Sequence, residues 1–271
     1  ECRAPSLSEA FMTLNVETLP AAQRTAGELR VQSYPTRSAM GDAAARDIAD
    51  ALRAALARQS DVRMIFAAAP SQSQMLEALR VAPGIDWSRV TAFHMDEYIG
   101  LPAGAPERFA RWLDVHLFDH LPFAKVHRIV PEPDAEAAAI AYAAELAKAP
   151  IDLMCLGIGV NGHIAFNDPP VADFADPLDV KVVTLDDQCR QQQVIDDCFA
   201  RFEDVPQQAI TLTIPRLVNV GQLVCGVPGA LKRDAVRATL HGPISTACPA
   251  SIRREHPNCS LYLDAESDPD V

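Results

Sequence analysis

No apolar stretch in this 271-residue chain approaches the roughly 18 residues that suggest a membrane span, so none is expected. No run of Lys and Arg offsets a formal net charge of −12, a balance that repels nucleic acid and anionic membrane alike. None of the seven cysteines (Cys2, Cys155, Cys189, Cys198, Cys225, Cys248, Cys259) forms a Cys-x-x-Cys pair. Odd in number and scattered, they read as reduced thiols of a cytoplasmic protein rather than as a disulfide framework. The opening Glu1-Cys2-Arg3-Ala4-Pro5 lacks the apolar core of a signal peptide, and Met12 is an alternative start that would make the first eleven residues an accessory extension. The sequence also shows no internal repeat, low-complexity tract, inter-domain linker, P-loop or serine elbow.

Nearly half of the chain is apolar, enough to bury a sizeable core. Apolar runs of strand length at Leu29–Val31, Val62–Ala68, Val90–His94, Ile151–Leu156, Val180–Leu185, Leu223–Val227 and Cys259–Leu263 alternate with segments of helical period. The helices are expected at Ala39–Arg58, at Ser71–Leu79 with Ser71 as cap, and at Glu107–His120, Asp134–Ala147 and Ala230–Leu240. Strand–helix alternation with fully apolar strands predicts an α/β fold, a three-layer α/β/α sandwich around a mostly parallel, Rossmann-like sheet. The expected organisation is an N-terminal extension over residues 1–28 and a single domain over 29–271. In an open sheet of this kind ligands bind at the carboxyl ends of the strands, which points to Ala67–Ser71, His94–Tyr98 and Gly157–Asp168 together.

Gly157, Gly159 and Gly162 spell G-x-G-x-x-G after a strand, but Pro169 and Pro170 leave little room for the helix that a dinucleotide site requires. The glycines read better as a turn that lets backbone N–H groups approach a ligand. His163 and Asp168 flank that turn, and a carboxylate beside an imidazole fixes its tautomer and raises its basicity. Asp96 and Glu97 interrupt an apolar segment at a strand end, where a partly desolvated carboxylate gains the raised pKa of a general base. Two plainer alternatives, loop hydrogen bonding for His163 and a solvated acidic loop for Asp96-Glu97, stay open at this point. Of the seven histidines only His116 and His120 stand at i, i+4, without HExxH character, so no metal site is expected.

These residues carry a resemblance. Phe93-His94-Met95-Asp96-Glu97-Tyr98-Ile99-Gly100-Leu101, the run from Gly157 through Gly162-His163-Ile164-Ala165-Phe166-Asn167-Asp168-Pro169, and Gly242-Pro243 with Cys248-Pro249-Ala250-Ser251 and His256-Pro257 resemble the glucosamine-6-phosphate deaminase (isomerase) family, related in fold to the 6-phosphogluconolactonases. The resemblance runs from roughly Leu29 to Ser267. It implies an aldose–ketose isomerase and deaminase of a phosphorylated amino sugar, releasing ammonia without a cofactor. Asp96 would move a proton between C1 and C2, His163 would shuttle one at the ring oxygen, and Asp168 and Asn161 would support His163. Substrate binding would fall to Ser71, Gln72, Glu97, Gly159, Gly162, Arg190 and Lys232, with Lys232 on the phosphate. A small sugar phosphate is the expected partner, and a homo-oligomer is left open.

Four departures stand out. Asn161 replaces an Asp that shares the proton relay in many members, and Asp168 replaces a longer Glu. The phosphate loop reads Ala67-Ala68-Ala69-Pro70-Ser71-Gln72 in place of glycine-bearing forms, and Pro70 removes an N–H donor. An expected arginine falls on Gln193, with Arg190 one turn earlier as a substitute. The rival expectations are a catalytically impaired sugar-phosphate-binding or regulatory protein and a lactone hydrolase on the same fold.

Overall fold

The computed structural model describes residues 19–196 and 198–271. The reading of Met12 as a start, and most of the expected N-terminal extension, lie outside the described residues. In chain order the strands and helices are β1 (Ala22–Ala26), β2 (Leu29–Tyr34), α1 (Arg37–Leu56), β3 (Val62–Phe66), α2 (Ser73–Arg80), β4 (Val90–His94), β5 (Asp96–Tyr98) and α3 (Phe109–His116). There follow β6 (Lys125–His127), α4 (Ala135–Leu146), β7 (Leu153–Leu156), β8 (Val180–Thr184), α5 (Asp187–Ile195), β9 (Gln208–Leu212), α6 (Ile214–Val218), β10 (Gln222–Val227), α7 (Arg233–His241) and β11 (Cys259–Asp264).

An eight-stranded sheet in the order β1-β2-β11-β10-β7-β3-β4-β6 forms the middle layer. Every pairing in it is parallel except β1 with β2. Alternate residues of each strand feed opposite faces, as the two-residue strand period requires. On β3, Met64 and Phe66 join the core against α1 and α2, whereas Ile65 joins the other core with Tyr142 and Leu146 of α4. On β7, Leu153 and Cys155 go one way and Met154 and Leu156 the other. Each fully buried Leu, Ile, Phe or Met contributes about 1.5–3 kcal/mol relative to exposure, so a sheet covered on both faces is what these apolar strands demand.

Helix ends follow capping chemistry. Thr36 caps α1 by accepting from Ala39 N at 3.1 Å, and Asp134 caps α4 by accepting from Glu136 and Ala137 N. Ser71 does not cap α2 as expected: a 3-10 turn over Pro70–Gln72 leads into the helix, and Ser71 Oγ accepts from Gln72 Nε2 instead.

Two sequence expectations are corrected. Residues 22–26, assigned to the extension, form edge strand β1. Its sequence, AQRTA, carries no apolar signal, and it is held by the antiparallel ladder and by Arg24, which bonds Asp268 at 2.6 and 2.9 Å. The Val180 strand belongs not to the main sheet but to a separate antiparallel sheet, β5-β9-β8. Lys181 and a half-buried burial pattern mark β8 as a strand with one wet face.

Gly41 lies buried in α1, where a Cβ would come within 2.8 Å of Gln74 Cβ and 3.1 Å of the Met75 backbone N. In an exposed helix Gly→Ala gains about 1 kcal/mol. Here Gly41→Ala is expected to lose about 1–3 kcal/mol through overpacking against α2, measured as a lower urea midpoint at unchanged m-value.

Candidate active site

At the carboxyl edge of the parallel strands a cleft of about 690 Å³ opens to solvent. Its wall includes the loop after β3 (Ala67 to Gln72), Met95 and Asp96, the turn after β7 with Gly157, Gly159 and His163, part of α5 and its end, and Lys232.

Asp96 does not sit on the main sheet. After β4 the chain steps through Met95 into β5, where Asp96 pairs with Thr211 of β9 and Glu97 with Ile210. Adjacent residues of a strand face opposite ways, and the two carboxylates are treated differently. Asp96, 8 % exposed, lines the cleft. Burial, and then the neighbouring Glu97, hold its carboxyl well above the usual range. Glu97 is fully buried and does not line the cleft. Its carboxylate accepts from Tyr98 N at 2.9 Å and from Phe109 N and Ala110 N, the first turn of α3, at 3.1 and 3.0 Å. Burial pushes Glu97 up to about 7, although those N–H groups and Arg108 pull the other way. The expectation that Glu97 touches substrate is therefore corrected: it caps a helix start, as an acid at that end should.

His163 is held by its own turn. Gly159 N donates to His163 O and Gly162 N to Gly159 O, both at 3.0 Å. A Cβ on Gly159 would stand 2.1 Å from His163 Cε1, so only glycine lets the imidazole lie over the turn. Gly162 has φ +84°, the left-handed region that favours glycine, and a Cβ there would meet Cys248 Sγ at 2.6 Å. Gly162 thus shapes the turn and does not line the cleft, contrary to its expected binding role.

Behind the imidazole lies a relay. His163 Nδ1 is 2.8 Å from Asn161 Oδ1 and 3.1 Å from Asp168 Oδ1. Asn161 Nδ2 donates to Asp168 Oδ1 at 2.8 Å, and Asn161 Oδ1 also accepts from His163 N at 3.0 Å. That pair of contacts fixes the amide orientation. Both neighbours of Nδ1 are acceptors, so Nδ1 carries the proton and Nε2 is the free lone pair of the neutral ring. Burial would raise Asp168, yet hydrogen bonds from His163, Asn161 and Cys189, with the His163 charge, bring it below the usual range. The segment carrying Asp168 is tied to β9: Phe166 N donates to Thr211 Oγ1, and Asn167 Nδ2 donates to Leu212 O at 2.8 Å.

Of the residues expected to bind substrate, Ser71, Gln72, Gly159 and Lys232 line the cleft. Arg190 does not. Its guanidinium bonds Phe202 O and Val205 O and lies 4.0 Å over the Phe202 ring. Sequence reasoning missed Gln192, Asp196 and Cys198, which line the cleft with Gln193. No apolar period or charge run marked them. His94, conspicuous in the sequence, is wholly buried, with Nε2 accepting from Ile129 N at 2.8 Å. Burial pushes its pKa down to about 3.

Fold and cleft together define a Rossmann-like α/β protein with a buried carboxyl and a His–Asn–Asp relay on one ligand site. Comparison with known proteins agrees. Residues 35–260 match the family described as glucosamine-6-phosphate isomerases/6-phosphogluconolactonase. Over 186 residues the chain is 38 % identical to the glucosamine-6-phosphate deaminase of Bacillus thuringiensis (strain Al Hakam), 68 % of each chain being covered. A solved monomeric glucosamine-6-phosphate deaminase superposes with a TM-score of 0.80 at 26 % identity, over 88 % of this chain and 98 % of that one. A 6-phosphogluconolactonase from Thermotoga maritima shares the fold with a TM-score of 0.72 at 18 % identity, over 87 % and 99 % of the two chains. The chain belongs to the glucosamine-6-phosphate isomerase/6-phosphogluconolactonase family.

Removing the Glu97 carboxylate strands three buried N–H groups, each costing about 1–3 kcal/mol when unpaired. Glu97→Ala is expected to lose about 3 kcal/mol or more in urea unfolding, with Glu97→Gln recovering part. In the wild type the proton on Glu97 is held more tightly folded than unfolded. Its stability contribution is therefore present at acid pH and is lost as pH rises from 4.5 towards 7.

Proposed function

We propose that the chain is an aldose–ketose isomerase and deaminase of an amino sugar of the glucosamine 6-phosphate class. One observation carries the reading: the buried Asp96 carboxyl and the imidazole of the His163–Asn161–Asp168 relay line the same cleft. His163 moves a proton at the ring oxygen and opens the sugar. Asp96 takes the C2 proton and returns it to C1, turning the amine carbon into an iminium. Water adds at C2 and ammonia leaves, giving the ketose. A carboxylate raised by burial is matched to abstraction of a proton next to a carbonyl. The deaminase named above, 38 % identical, supports this over lactone hydrolysis, a reaction that would leave Asp96 without a task.

Asn161 does not disable the relay. An amide cannot pass a proton, but it can hold the tautomer, and Asp168 remains 3.1 Å from Nδ1 to stabilise the imidazolium. Cys155, Cys189, Cys225, Cys248 and Cys259 are buried reduced thiols, which supports a cytoplasmic setting; no described helix is long and apolar enough to cross a membrane.

Ammonia release from glucosamine 6-phosphate and its epimers, with and without Asp96→Asn, tests the proposal. The variant should lose about 10²- to 10⁴-fold in kcat, the usual worth of a positioned general base; no turnover with any hexosamine or hexosamine 6-phosphate sinks the reading. The same substitution should stabilise the fold. Asp96 holds its proton more tightly folded than unfolded, so the wild type loses stability as pH climbs above 3.8. Asn removes that loss, and at pH 7 its Tm should exceed the wild type's, by about 2–4 °C per kcal/mol gained.

A further inference from the structure

The loop after β3, the end of α5 and the start of α7 meet at the cleft through Ser71, Gln72, Gln192, Gln193, Asp196 and Lys232. Lys232 is the only Lys or Arg among the described residues that line it, and it is already engaged. Its Nζ lies 3.5 Å from Asp196 Oδ2, the same oxygen that accepts from Gln192 Nε2 at 3.1 Å. Gln193, where the resemblance places an arginine, is bonded by the Tyr98 hydroxyl at 2.6 Å. Gln72 Nε2 is spent on Gly226 O and Ser71 Oγ.

Helix ends add to this field. Gln72 and Lys232 stand at the N-termini of α2 and α7, and Asp196 at the C-terminus of α5. With about half a charge at each helix end, the two N-termini and Lys232 are opposed by Asp196 and the α5 C-terminus. The balance is about half a positive charge, against the −1.5 to −2 of a phosphate monoester near pH 7.

We propose that Asp196 sets the cleft's specificity for an amino sugar with an uncharged, hydroxyl-bearing terminus over one ending in a phosphate dianion. A hydroxyl accepts from Lys232 and donates to Asp196, so it replaces their mutual contact with two hydrogen bonds. A phosphate offers only acceptors to Lys232 and meets Asp196 as a like charge, which disfavours it further in a partly dehydrated site. The inference rests on the amino-sugar reaction proposed above and revises one group of its substrate.

Open-chain alditols, which lack the carbonyl and are not turned over, separate binding from reaction. Calorimetry would compare 2-amino-2-deoxyglucitol with its 6-phosphate on the wild type and on Asp196→Asn. The expected wild type binds the unphosphorylated alditol at least as tightly as the phosphate, and Asp196→Asn shifts the ratio tenfold or more towards phosphate. A wild type that binds the 6-phosphate more tightly overturns the proposal, as does a ratio that moves less than tenfold in the variant. Ammonia assays on glucosamine and glucosamine 6-phosphate run alongside. Silence from both, with the alditol preference as expected, refutes the reaction and leaves the specificity standing.

Discussion

The cleft depends on where the Glu97 carboxylate goes. Two adjacent acids on a buried strand must face opposite ways, and neither can stay charged in apolar surroundings without partners. Glu97 meets this by accepting three backbone N–H groups, two of them from the first turn of α3. That fastens α3, with Phe109 at its start, beside β5, and Phe109 is part of the cleft wall. Asp96 is thereby left facing the cleft, its carboxyl raised by burial and then by the neighbouring Glu97. One acid takes the structural task, and its neighbour is left lining the cleft.

The small sheet connects this to the histidine. Strand β9 pairs with β5 at Asp96–Thr211, and the same Thr211 and Leu212 anchor Phe166 and Asn167, which lead directly into Asp168. Asp96 and the segment that leads into Asp168 are thus referenced to a single strand of five residues. Rigid elements hold reacting groups better than loops do, and here a loop rich in proline is made rigid by two hydrogen bonds to a strand.

Much of this was legible in the sequence, and the reasons for the rest are physical. Apolar runs located β2, β3, β4, β7, β10 and β11 because a doubly covered parallel strand must be apolar throughout. The Gly157–Asp168 segment announced a tight turn with an imidazole and an acid, and both proved to be within reach of each other. Strand β5 was hidden because three residues containing Asp and Glu look like an interruption, and β1 because an edge strand held by Arg24 needs no apolar face. Arg190 and Gln193 share one face of α5, yet spacing alone does not say where a long side chain ends. The guanidinium reached back to Phe202 and Val205, and only coordinates reveal that.

The groups proposed to react and the Lys232 corner are built on different elements. Asp96, His163 and Asp168 are positioned by β5, β9 and the turn after β7, each locked by backbone hydrogen bonds that tolerate little change. Asp196 and Lys232 stand on the end of α5 and the start of α7, off the strands, whereas Gln193 of α5 is bonded by Tyr98 of β5. Fold alone does not fix function, which has to be argued from the site, and in this chain the two groups of residues meet in one cleft.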